Sequence, residues 1–178
     1  DFPTAENLYS ETADIIIPTT LLPEVLGTRS VPQSGGGWGW KQLANINSFL
    51  KDCSRCGDEA ARKEYEGVAR FFRAYFYYNK VKRFGEVPWF SEVLSSTDDR
   101  LYSPRTPRNE LMSNIIADLD YAIDNLPTAK NLYRVTKWAA LALKSRVCLY
   151  EGTWRKYHGV SGYESYLAAA ASAAETLM

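Results

Sequence analysis

The sequence predicts an all-α fold in which helical pairs stack as a tetratricopeptide-like solenoid. Apolar residues recur at steps of three and four along most of the chain, which is the spacing of amphipathic helices. No convincing pair of β-strands occurs between them. Small residues at helix contacts and bulky aromatic residues between helices are typical of stacked helical pairs. The strict tetratricopeptide spacing is not met, and five or six helices are expected.

Bulk composition indicates one globular domain spanning residues 1–178. A hydrophobic fraction of 46% in 178 residues is enough for one core. The 21 acidic and 21 basic residues balance, so the charge gives no general reason to expect binding to nucleic acid or to an anionic membrane surface. No apolar run approaches the roughly 20 residues that span a bilayer.

The first part of the chain is predicted to be mixed in structure. Residues 6–17 can form a short helix that Pro18 would end, and residues 21–27 another turn before Gly27. Residues 33–37 have the composition of a flexible glycine-rich loop. The N-terminus lacks the basic start and apolar core of a signal peptide, so an exported form would be mature or trimmed.

A helix is predicted over residues 40–52, and a C-x-x-C motif follows it. Leu43, Ile46, Phe49 and Leu50 form its expected buried face. Asn47 lies near the middle of the helix, and an asparagine there usually has a specific partner because its side chain competes with backbone hydrogen bonds.

The motif Cys53-Ser54-Arg55-Cys56 closes this helix, whereas a thioredoxin-like motif follows a strand and opens one. A structural zinc site needs four ligands, and Cys148 and His158 do not form a second pair at ligand spacing. We expect no metal, and either a local disulfide or two inert thiols.

The central helix carries the densest aromatic sequence in the chain. Its predicted buried stripe comprises Tyr65, Val68, Ala69, Phe72, Tyr75, Phe76 and Asn79. The basic residues Arg70, Arg73, Lys80, Lys82 and Arg83 mostly lie off that stripe. Gly85 is the expected C-terminal cap, and Pro88 prevents the helix from resuming.

Three further helices are predicted. The first spans residues 107–126 with Thr106 as its N-cap. Its acids Asp118, Asp120 and Asp124 could serve acid–base chemistry if they were desolvated, but a solvated helix face is the expected role. The next spans residues 137–150 with Thr136 as N-cap and an interruption at Gly152, and the last spans residues 163–178. His158 is expected in a loop.

Three motifs resemble the SusD/RagB family. The run G-x-A-R-F-x-R-A-Y-x-Y-x-x-x-V-x-x-F-G-x-V-P over residues 67–88 resembles the family's signature helix, although Val68 stands where the family usually has glutamate. The run IIADLDYAIDNLP over residues 115–127 resembles the helix that follows it, and residues 134–137 resemble a family turn. The resemblance covers the chain from Trp38 to its end.

This resemblance implies a surface-exposed outer-membrane lipoprotein that binds oligosaccharides and covers a SusC-like TonB-dependent transporter. Such a protein catalyses no reaction and needs no cofactor. It contacts the membrane only through an N-terminal lipid that this chain lacks. Family members are much longer, so the chain is expected to be an N-terminal part. The resemblance implies the same tetratricopeptide-like architecture that the helical pattern predicts.

Sugar recognition uses aromatic faces together with polar side chains that satisfy the hydroxyl groups. Trp38 and Trp40, beside the glycine-rich loop and near Asn45 and Asn47, are the predicted ligand-binding residues. Trp89 is a weaker candidate. Trp138 and Trp154 are expected to be structural.

A helical-repeat scaffold that binds protein segments without binding glycans is the alternative. It predicts a concave groove and no role for the tryptophan loop. An enzyme has no support, because the sequence contains no nucleophile elbow, metal cluster or phosphate-binding loop.

Overall fold

The computed structural model describes residues 23–178, and the regular elements in that range are all helical. The α-helices are α1 (Pro23–Leu26), α2 (Lys41–Cys53), α3 (Glu59–Phe84), α4 (Arg108–Asn125), α5 (Lys137–Tyr157) and α6 (Tyr163–Leu177), and a 3-10 turn covers Asp99–Tyr102. The predicted all-α class is confirmed. The helix predicted over residues 6–17 lies outside the described residues.

The chain divides into two compact units, Asp1–Gly39 and Trp40–Met178. The described part of the first unit contains α1 and the glycine-rich loop. Gly27 follows α1 with a φ of 69°, a left-handed conformation that glycine adopts without a steric penalty. The turn that the sequence predicts at this position is therefore present.

In the second unit, each helix packs against the next helix in the chain, and α3 also contacts α5. This arrangement is consistent with the predicted tetratricopeptide-like helical pairs. Its main core consists of Leu43, Ala74, Tyr77, Tyr78, Val81, Val87, Leu111, Met112, Ile115, Leu119, Leu143 and Val147.

Across residues 23–178 no helix combines the length and the apolar character required to cross a bilayer.

Helix α3 begins at Glu59, before the start at Tyr65 that the sequence pattern predicts, and it ends at the predicted position, just before Gly85. Asp58 caps it by accepting hydrogen bonds from the backbone N–H groups of Ala60 and Ala61 at 3.0 and 3.1 Å. Gly85 follows the last turn with a φ of 71°, which confirms its role as the C-terminal cap.

The predicted buried stripe of α3 is partly wrong. Tyr65 and Phe72 are 48% and 43% exposed, whereas Arg73 and Lys80 are each only 7% exposed. The positions of α2, α4 and α5, which all contact α3, decide which arc of the helix is covered, and that arc is not the predicted stripe. Two basic residues lie inside the buried arc, Arg73 beside the Asp118 carboxylate and Lys80 over the Phe76 ring.

Arg73 forms a buried ion pair with Asp118 of α4. Its Nε and Nη2 atoms donate to the two carboxylate oxygens at 2.6 and 2.7 Å. Arg70 adds a longer contact to Asp118 at 3.5 Å. The expectation that Asp118 is solvated is wrong, because this carboxylate faces α3. Asp120 pairs with Lys144 on α5, and Asp124 is exposed as expected.

A second buried carboxylate joins α4 to α5. Glu151 is fully buried and accepts hydrogen bonds from Arg108 at 2.7–3.1 Å and from Arg155 at 2.8 Å. The guanidinium of Arg108 also lies 3.6 Å from the ring centroid of Trp154. Pattern analysis did not identify this cluster.

Helix α5 runs through Gly152 to Tyr157, so the predicted interruption at Gly152 is wrong. A Cβ at this position would lie 2.7 Å from Cδ2 of Leu167 on α6, and 3.2 Å from its backbone nitrogen. Gly152 therefore permits the close approach of α5 and α6.

We expect Gly152→Ala to lower the free energy of unfolding by about 1–3 kcal/mol, because overpacking outweighs the better helix propensity of alanine. The matched control is Gly67→Ala on α3, where the new Cβ would lie 3.4 Å from Leu126 at ordinary contact distance. Denaturant unfolding of both variants measures the difference. If Gly152→Ala were as stable as Gly67→Ala, α6 would be able to shift away from the new Cβ without a loss of stability.

Two details of the remaining helices correct the sequence predictions. Phe49 of α2 is 43% exposed, while Asn47 occupies the buried face beside Leu43. Pro107, and not Thr106, takes the N-cap position of α4, since the Thr106 hydroxyl bonds elsewhere. Thr136 is the N-cap residue of α5 as predicted.

Candidate functional site

The loop between α3 and α4 carries an aromatic pair, Trp89 and Phe90, on a backbone that is held at several points. The backbone N–H of Trp89 donates to the Thr106 hydroxyl at 2.9 Å. The N–H of Phe90 donates to the Tyr77 hydroxyl at 2.7 Å. The Asn47 amide donates to the carbonyl oxygens of Phe90 and Glu92 at 2.9 and 3.0 Å. These hydrogen bonds fix the start of the loop.

Two side chains of α3 contact the Trp89 ring. It stacks on Tyr77 with ring centroids 4.2 Å apart and planes 28° apart. The Arg73 guanidinium lies 5.4 Å from the Trp89 ring centroid, within cation–π range. Trp89 itself is half-buried. One part of the indole is therefore fixed by the core while another part remains accessible.

Burial raises the pKa of the Tyr77 phenol well above its ordinary value, although its hydrogen bond to Phe90 opposes that change. The hydroxyl consequently stays protonated over the ordinary pH range. It can accept from the N–H of Phe90 while it donates to the carbonyl oxygen of the same residue at 3.4 Å.

A small pocket opens beside this aromatic pair. Its cavity volume is about 130 Å³, and its walls are formed by Trp89, Phe90, Ser91, Glu92, Leu94, Arg100 and Ser103. Pockets for whole small molecules are usually about 300–1,000 Å³, so this one can hold only part of a ligand. The pocket combines an aromatic wall with two serine hydroxyls, a carboxylate and a guanidinium.

Arg100 organises the polar rim of the pocket. Its Nη1 donates to Glu92 at 2.9 Å, and its Nη2 donates to Asp98 at 2.8 Å. Hydrogen bonds from Arg100 lower the pKa of the Asp98 carboxyl below its usual range. Because the rim is exposed to solvent, these pairs contribute little to stability, but they position groups that can bind hydroxyls.

Of the predicted ligand-binding residues, Trp40 and Asn47 both support this loop. The Trp40 ring packs against Phe76 and Phe90, with centroids 5.6 Å from each, and against Tyr77 at 6.3 Å. Asn47 is 2% exposed, and its amide oxygen has no hydrogen-bond partner among the residues that the structure describes. Asn47 is therefore buried and Trp40 half-buried, and both contact Phe90 of the loop.

Trp38 and Asn45 are exposed. Trp38 lies in the first unit and is 40% exposed. Its backbone N–H donates to the Gly35 carbonyl at 3.0 Å, which closes the glycine-rich turn. Asn45 lies on the solvent side of α2, two residues from the buried Asn47. The ligand-binding roles of these four residues stay predictions.

The sequence analysis did not identify most of the pocket-lining residues. Ser91, Glu92, Leu94, Arg100 and Ser103 belong to an irregular loop without periodicity. The available signal was the length of the loop, since residues 85–107 separate α3 from α4 and such long connections are often functional.

The chain is similar to proteins of one known family. A family model described as "Starch-binding associating with outer membrane" matches residues 38–149. "SusD-like protein P25" from Formosa agariphila is 27% identical over 167 residues, covering 83% of this chain and 32% of its own length. The chain thus spans about a third of that relative.

Solved structures share the fold. A SusD-like protein from Bacteroides fragilis matches with 28% identity and a TM-score of 0.63, over 76% of this chain and 25% of that structure. A crystal structure with xylogluco-oligosaccharide matches with 25% identity and a TM-score of 0.66, over 78% of this chain and 27% of that structure.

Proposed function

This chain belongs to the SusD-like family, and from that membership we propose that it takes part in capturing oligosaccharides or polysaccharides at the bacterial outer membrane. Recognition of a xylogluco-oligosaccharide in one similar structure supports a glycan as the ligand class. We further propose that the protein is surface-exposed through a lipid anchor and delivers its glycan to a SusC-like TonB-dependent transporter.

The observation that carries this proposal is the Trp89 pocket. The Trp89 indole, stacked on Tyr77 and approached by Arg73, is held in place before a ligand arrives, and part of the ring remains accessible. Preorganisation reduces the entropy lost on binding. The apolar face of a pyranose ring fits an aromatic surface, and Ser91, Glu92 and Ser103 can satisfy its hydroxyls.

Within this proposal the predicted residues divide into two groups. Trp38 and Asn45 are exposed, and each is proposed to contact glycan on its own unit. Trp40 and Asn47 would act through the loop, because their side chains pack against Phe90 and hold its backbone. The capture role requires no catalytic group and no cofactor.

We expect Trp89→Ala to weaken glycan binding at least tenfold, because loss of one buried aromatic anchor commonly costs about 2 kcal/mol or more. Titration calorimetry of the full-length protein against a panel of soluble polysaccharides measures the effect, with circular dichroism as a check of folding. Trp138→Ala is the matched control, since the Trp138 indole bonds to Thr128, a residue outside the pocket.

The other outcomes separate the alternatives. Unchanged affinity in Trp89→Ala together with loss in Trp38→Ala would move the site to the glycine-rich loop. Unchanged affinity in both would place the glycan on residues other than these two tryptophans. Absence of binding to every glycan in the panel would contradict glycan capture and favour a helical scaffold that binds protein segments.

A further inference from the structure

The turn between α2 and α3 brings the two cysteines of the C-x-x-C motif together. Cys53 is the last residue of α2, and the N–H of Cys56 donates to the Cys53 carbonyl at 3.0 Å. A hydrogen bond between residues i and i+3 places their Cα atoms within about 7 Å. Disulfides usually join Cα atoms about 4.4–6.8 Å apart, so the backbone of this turn suits a disulfide.

Both thiols are free and can be reached. Cys56 is exposed and Cys53 is half-buried. Their sulfur atoms make only weak contacts with backbone carbonyls, from Cys53 to Leu50 at 3.2 Å and from Cys56 to Asp58 at 3.6 Å. Formation of a disulfide would therefore replace only weak contacts of the two sulfur atoms.

The surroundings of the motif do not favour a metal site or a thioredoxin-like redox centre. The described residues contain no group of three or more His, Cys, Asp or Glu side chains that could hold a metal ion. A thioredoxin-like centre has its cysteines at the start of a helix, where the helix dipole stabilises a thiolate, and this pair lies at the end of one.

We propose that Cys53 and Cys56 form a reversible disulfide that closes the end of α2. The oxidant is a small disulfide compound or a thiol–disulfide oxidoreductase. The Cys56 thiolate attacks the oxidant and releases one thiol, and the Cys53 thiolate then attacks the Cys56 sulfur and releases the second. Two cysteine thiols and one disulfide thus give one protein disulfide and two thiols, with two electrons passing to the oxidant.

The surroundings of the two thiols set this order of attack. Burial raises the pKa of the Cys53 thiol, with a further contribution from the Glu66 carboxylate. The exposed Cys56 therefore meets the oxidant first. Cys148 provides an internal reference, since it is fully buried and burial raises its pKa to about 11.

The disulfide would stabilise the helix that supports the α3–α4 loop. It lies at the C-terminus of α2, six residues after Asn47, whose amide holds the Phe90 and Glu92 carbonyls. A covalent ring at the helix end restricts the unfolded chain and opposes fraying of the last turn. We expect the melting temperature to be about 2–6 °C higher in the oxidised form.

Peptide mapping tests the proposal directly. The folded protein is equilibrated with glutathione disulfide, its remaining thiols are blocked with N-ethylmaleimide, and it is digested with trypsin without reductant. Trypsin cuts after Lys51, Arg55 and Arg62, so it separates the two cysteines. We expect the peptides 52–55 and 56–62 to remain joined, and Cys148 to react with maleimide only after unfolding.

Two variants complete the design. In Cys53→Ser, glutathione should remain attached to Cys56, because no second thiol is present to displace it. The double variant Cys53→Ser/Cys56→Ser should show no oxidation-dependent change in melting temperature. Recovery of 52–55 and 56–62 as separate maleimide-labelled peptides would overturn the proposal. So would stable glutathione on Cys56 in the unmodified sequence, since it would show that Cys53 does not reach Cys56.

Discussion

Replacing Asp118 by alanine should lower the free energy of unfolding by about 3–5 kcal/mol, because it leaves the Arg73 guanidinium buried without its carboxylate. The side chains of Arg73 and Asp118 are only 8% and 3% exposed. Arg70 is partly exposed and can turn to solvent, whereas Arg73 lies in the arc of α3 that faces the core. Urea unfolding monitored by circular dichroism measures the change.

The matched control is Asp124→Ala on the same helix, where the carboxylate is exposed and a change within about 0.5 kcal/mol is expected. The double variant Arg73→Met/Asp118→Leu removes both charges and should recover most of the stability. A loss below 1 kcal/mol in Asp118→Ala would contradict a buried, mutually dependent pair.

Glu151→Ala is expected to be comparably destabilising, by about 3–5 kcal/mol, since one fully buried carboxylate neutralises two guanidinium groups. Removing it leaves Arg155, with a side chain 7% exposed, beside Arg108 with no intervening negative charge. Thermal unfolding should show a lower midpoint with the helical spectrum retained at low temperature.

Glu175→Ala on α6 is a suitable control, because its side chain is exposed and no comparable loss is expected. Glu151→Gln separates charge from shape, since the amide keeps the volume and one acceptor but not the negative charge. Equal stability of Glu151→Gln and the unmodified chain would show that packing, and not charge, is what Glu151 supplies.

These two ion pairs act across the stack of helices. Arg73–Asp118 joins α3 to α4, and Arg108–Glu151 joins α4 to α5. Buried pairs add little net stability compared with apolar residues of similar volume, but a missing partner is costly. Their expected role is to favour one alignment of neighbouring helices, and Arg73 also lies against the ring of Trp89.

The sequence by itself determined the elements whose signals are local. The 3.6-residue period identified helices α2 to α6, Gly85 marked the end of α3, and Thr136 marked the start of α5. The motif over residues 67–88 identified the family. Helix caps and periodicity involve residues within a few positions of one another, so they can be read without knowing the fold.

Only the tertiary structure decided which charged residues are buried and where the pocket lies. Periodicity states which residues share a helix face, but the positions of the neighbouring helices decide which face is covered. Here Arg73 is covered and Phe72 is exposed. Glu151 is buried because Arg108, 43 residues away, faces it. Gly152 leaves room for Leu167 where α5 and α6 approach closely, and an irregular loop forms the pocket. Each of these features depends on partners distant in sequence, which no local pattern encodes.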